Sequence, residues 1–111
     1  MKDIAKSQFE RIVQEDFNQF RELSATFMKV QPEDTETLYQ LSVDSWLLAT
    51  RWSEIQSNAS KIAIDNDINK TDFKDYCYQK YRQLQEMHIT CRSWYRLAKE
   101  DERMLKGLEI T

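Results

Sequence analysis

One glycine and one proline in 111 residues constrain this chain more than any other feature. A β-sandwich or barrel reverses direction about every ten residues, and its turns draw on those two residue types. Long helices need few turns, so the expected fold is all-α. It should hold three to four helices, the long ones antiparallel in a bundle that associates into oligomers. The length suits one domain, residues 1–111. Hydrophobic residues at 41% beside charged residues at 32% fit a folded chain rather than a disordered one.

The apolar periodicity divides the chain. Ile4, Phe9, Ile12, Val13, Phe17, Phe20, Leu23, Phe27 and Met28 recur at three- and four-residue spacings and predict a first helix over 3–29. "VQPEDTET" ends it. Pro32 cannot continue a helix, and Asp34 or Thr35 can cap the next one, with acids in its first turn. That second helix is expected over 33–62. One stripe is Leu38, Leu41, Ser45, Leu48, Ala49, Trp52, Ile55, Ala59 and Ile62. A second stripe, Tyr39, Val43, Trp46 and Leu47, makes the helix apolar on two sides, so it should be central or face another subunit.

"AIDNDINKTD" reads as a turn, because Asn and Asp hydrogen-bond their own backbone; Asn69 or Thr71 then caps a further helix. From Phe73 the apolar positions stay in phase through Cys77, Tyr81, Leu84, Met87, Cys91 and Trp94 to Leu105. One helix to about Lys106 is allowed. The β-branched Ile89 and Thr90, with Thr90 as an N-cap, equally allow two helices, 71–88 and 90–106.

The net charge of −3 gives the molecule as a whole no polyanion-binding signature. The charge is uneven, however. Within Tyr76–Lys99, Lys80, Arg82, Arg92, Arg96 and Lys99 face Glu86 alone. On a continuous helix Arg92, Arg96, Lys99 and Arg103 step by four, three and four and share a face. That face can hold phosphates, or it can be the solvated outside of a bundle with Glu100 and Glu102 nearby.

Other chemistry finds little support. His88 and Cys91 form an H-x-x-C step with Cys77 upstream, but zinc wants four ligands and a second pair is missing. A Cys–His nucleophile lacks an orienting third group and a glycine turn for an oxyanion hole. Glu15/Asp16 and Glu100/Asp101/Glu102 read as solvated faces, and no glycine-rich phosphate loop is present. No catalytic residue, metal or cofactor is therefore expected. The start "MKDIAKSQFERIVQ" lacks an apolar h-region, and no run reaches membrane-spanning length. The expectation is a cytoplasmic protein with two free thiols.

The order of elements resembles the small subunits of phage terminases. In that family a helix leads through a short loop into an "L-x-x-x-D-x-x-x-L" opening of a long aromatic helix. "FNQFRELSATFMKVQPEDTETLYQLSVDSWLLATRW" is similar, with Val30, Asp34 and Leu38 at the matching positions. The family's tail, "LGLTPxSRxRL", is echoed by "MHITCRSWYRL". Ile89 and Thr90 match "LT", Ser93 the serine, and Arg96 with Leu97 the final "RL"; His88 replaces the glycine and Cys91 the proline.

The resemblance implies a non-enzymatic DNA-packaging factor in a host cell's cytoplasm, forming a homo-oligomeric ring. Its partners would be double-stranded DNA and the large terminase subunit. Arg82, Arg92, Arg96, Lys99 and Arg103 would bind DNA, with Thr90 capping a short tail helix. Tyr39, Val43, Trp46, Leu47 and Trp94 would form the oligomer interface. Two other classes remain open: a small phage- or plasmid-type regulator that binds a host protein, and a single-strand-binding recombination mediator using the basic, aromatic last helix.

Overall fold

Pro32 and the Asn-rich turn at 66–69 set the corners of the molecule, and the segments between them are helices packed side by side. The structure, a computed structural model, describes residues 9–110, with side chains through Gly107. Four α-helices and no strand occur among the described residues. They are α1 (Phe17–Lys29), α2 (Thr35–Ser57), α3 (Ala59–Asp65) and α4 (Lys70–Ile110). The described part measures 67 × 20 × 20 Å, a rod rather than a ball.

The first helix begins before α1. A π-helical turn, Ile12–Asp16, leads into it, with the Phe17 N–H bonded to the Ile12 carbonyl five residues back. Both Ile12 and Asp16 are buried by this turn. The expected residues 3–8 of this helix lie outside the described residues. Leu23, Phe27 and Val30 then pack beside Leu38 and Leu41 of α2.

Asp34 starts α2 as its N-cap. Its carboxylate accepts from the Thr37 N–H at 3.2 Å and the Thr37 hydroxyl at 2.6 Å, and these bonds lower its pKa. All nine residues of the first predicted stripe, Leu38 through Ile62, are buried. The helix expected over 33–62 is nevertheless two. Asn58 (φ −105°, ψ 8°) leaves helical geometry, and its side-chain amide donates to the Glu54 carbonyl at 3.0 Å. α3 continues from there, with Ala59, Ile62 and Ala63 buried.

Asn69 caps α4 by accepting from the Asp72 N–H at 3.0 Å. Ring contacts set its course: Trp52 lies 6.2 Å from Tyr76, Trp46 5.1 Å from His88, and Tyr39 5.4 Å from Tyr95. As α2 advances, its partners on α4 retreat, so the two are antiparallel. Phe17 meets Trp52 edge-on at 5.2 Å and Tyr76 at 5.3 Å, wedging α1 against both.

The alternative of separate helices at 71–88 and 90–106 is not realised, because α4 runs unbroken through Ile89 and Thr90. Propensity penalties there are up to about 0.7 kcal/mol per residue. Met87 and Cys91 on either side are buried against Leu38 and Leu41, and each buried side chain of this size contributes about 1.5–3 kcal/mol. Packing wins, and Thr90 is an interior residue rather than a cap.

Candidate functional site

Continuity of α4 decides where its cations go. Arg92, Arg96, Lys99 and Arg103 fall along one line on the helix, about 16 Å long at a rise of about 1.5 Å per residue. The three arginines are exposed. Lys99 is half-buried, 5.7 Å from the Tyr95 ring centroid and 3.4 Å from the Glu102 carboxylate. Glu100 and Glu102 flank the line rather than interrupt it.

Arg82 stands apart from this group, ten residues earlier on the helix. Its guanidinium donates to the Tyr78 hydroxyl at 3.2 Å and lies 3.7 Å from Glu86. The Tyr78 hydrogen bond, helped by the charges of Tyr78 and Glu86, raises its pKa further. Lys80 turns inward instead, its ammonium 4.1 Å from the Phe20 ring centroid and 5.0 Å from that of Tyr76. Burial, then the charge of Arg21, lowers the Lys80 pKa. The five cations singled out in sequence thus form a run of four and an outlier.

The aromatic and apolar residues assigned to an interface separate into three places. Tyr39 and Trp46 are 55% and 53% exposed, each leaning on a ring of α4 along one flank of the α2–α4 seam. Leu47, also exposed, borders a cleft with Leu23, Leu48 and Arg51 between α1 and α2. Val43 is half-buried, one turn from both Tyr39 and Leu47. Trp94 lies on α4 near the α1–α2 loop, where it lines a groove with Pro32 and Glu33.

The thiols and the imidazole are built into the packing. Cys77 and Cys91 are free and fully buried, and burial pushes the Cys77 thiol up to about 12 and raises that of Cys91. Nδ1 of His88 lies 2.7 Å from the Ser42 carbonyl, which can only accept, so Nδ1 donates. A thiol held this far from ionisation is a weak nucleophile at neutral pH.

Asp16 is the site that the sequence concealed. It is 1% exposed and receives the Arg51 guanidinium, Nε at 3.1 Å from Oδ1 and Nη2 at 3.5 Å from Oδ2. Its expected place on a solvated face with Glu15 is corrected: Asp16 follows the buried Ile12 by four residues and turns inward with it, while Glu15 is exposed. The groove at Pro32 and Trp94 was equally hidden, because it joins a loop to residues more than sixty positions away. Compared with protein-family models, curated proteins and solved structures, the chain matches none.

Proposed function

We propose that the protein is a non-enzymatic DNA-binding assembly factor of the terminase-small-subunit kind. The carrying observation is the unbroken α4, which sets Arg92, Arg96, Lys99 and Arg103 in one outward line with three exposed guanidinium groups. Guanidinium groups pair bidentately with phosphate, and a row of them suits a duplex backbone more than a single compact anion. Tyr39, Trp46 and Leu47 supply exposed apolar area for association between copies, the arrangement a ring requires. In a ring, the modest basic line of one protomer is repeated around the assembly, which offsets the acidic total. The large terminase subunit would supply the ATPase and nuclease chemistry in the host cytoplasm.

Fluorescence anisotropy with labelled duplex and single-stranded DNA across a salt series tests the reading. Duplex binding should weaken with salt at a log–log slope of about −3 to −4, as four phosphate contacts require. The double variant Arg92→Glu/Arg96→Glu should abolish it. Light scattering should give a mass several times 13.4 kDa. Preference for single strands would favour the recombination-mediator reading, and binding to neither would leave a protein-binding regulator.

A further inference from the structure

The far end of α4 has an apolar face that the described residues leave uncovered. Thr35, the first residue of α2, borders the same cleft as Lys99, so α2 ends at that level. Residues 100–110 of α4 run on for about 16 Å. Leu97, Met104 and Leu105 are 58%, 67% and 61% exposed, and Trp94 is 38% exposed. Trp94, Leu97 and Leu105 line a groove of about 600 Å³ whose other wall is Pro32 and Glu33 of the α1–α2 loop. Four large apolar side chains within about three turns of one helix make a patch rather than scattered exposure.

Charge identifies the occupant. Glu33, Asp101 and Glu102 line the groove, and no lysine or arginine does. Glu102 is 3.4 Å from Lys99. Glu33 and Asp101 have no ion-pair partner among the described residues. Asp101 falls at four-residue spacing from both Leu97 and Leu105, so its carboxylate interrupts the apolar row at its centre. Pairing this face with its copy would set the acidic clusters against each other. A phosphate backbone is repelled for the same reason. The Arg92–Arg103 line lies more than about 100° around the helix, at 3.6 residues per turn, so both faces can be occupied together.

We propose that the groove docks a basic amphipathic helix of a partner protein. Apolar side chains at i, i+3 or i+4 and i+7 fill the space beside Trp94, Leu97 and Leu105, the usual helix-in-groove arrangement. A lysine or arginine between two of those anchors meets Asp101, and a second cation meets Glu33. The site does not depend on DNA binding, which uses the other face of α4.

Two labelled peptides of about 18 residues, long enough to cross the groove as a helix, test this on the full chain. Both carry the same leucine repeat, one flanked by lysine and arginine and the other by glutamate. The basic peptide should bind at least about tenfold more tightly at low salt, as complementary charge requires. Asp101→Lys combined with Glu33→Lys should reverse that preference. Leu97→Ala with Leu105→Ala should weaken both peptides about tenfold or more, as loss of central anchors does. Circular dichroism checks that these exposed positions leave the fold intact. Equal binding of the two peptides, or none by either, overturns the proposal, as does a preference that survives the charge reversal. It also fails if the leucine variant dissociates the native assembly, because a second copy then fills the groove. Arg92→Glu/Arg96→Glu should leave peptide binding unchanged, so failure here and failure of the DNA reading are separable.

Discussion

The near and far halves of α4 carry the same apolar repeat and meet opposite fates. Phe73, Cys77, Leu84, Met87 and Cys91 are at most 6% exposed, whereas Leu97, Met104 and Leu105 are at least 58% exposed. The near half is sheathed by α1, α2 and α3; the far half outlasts its neighbours. Periodicity specifies which side of a helix is apolar. Whether a neighbour arrives to cover that side depends on where the other helices start and stop, and α2 starts only at its cap, Asp34.

The contrast can be broken most sharply at Trp52, fully buried between Phe17 and Tyr76. Trp52→Ala should cost about 3–5 kcal/mol in urea unfolding, while Leu105→Ala should stay within about 0.5 kcal/mol. A similar loss for both would mean that the far half is covered in solution. The next effect lies at the Arg51–Asp16 pair, whose side chains are 41% and 1% exposed. Arg51→Met strands a buried carboxylate and should cost about 2–3 kcal/mol, more than Asp16→Asn, which leaves a guanidinium that water can reach. Equal costs would remove the asymmetry. The smallest effect sharpens the comparison from the other side. Gly107 is helical, and a Cβ there meets nothing within 4 Å. Gly107→Ala should gain about 0.5–1 kcal/mol of local helix stability. Slower amide exchange around residue 107, with an unchanged unfolding midpoint, is the expected result.

Much of the fold was legible because one signal dominated each stretch. The nine-residue stripe running from α2 into α3 shows its buried face directly, and Asp34 and Asn69 advertise helix starts by residue type. The break at Asn58 was hidden because Ile55, Ala59 and Ile62 keep helical spacing across it, masking an asparagine that diverts the backbone. Asp16 was hidden by its acidic neighbour Glu15, although its four-residue spacing from Ile12 and Phe20 put it on the apolar side. At Ile89 and Thr90 local propensity left two outcomes open, and the burial of Met87 and Cys91 selected one.

The candidate sites were less legible. The spacing of Arg92, Arg96, Lys99 and Arg103 carries their alignment once the helix is continuous, and that continuity is a tertiary result. The groove needs Pro32 and Leu105 brought together, and no local pattern announces such a meeting.

A single unbroken helix also acts mechanically. The stretch of α4 beyond Thr35 has no loop at its base, so it is a cantilever clamped in the bundle at Cys91 and Tyr95. A load applied at Leu105 moves Arg103 on the free stretch, while Arg92, next to Cys91, stays with the clamp. Whatever grips the tip thereby sets only the position of Arg103 relative to the clamped part of the row.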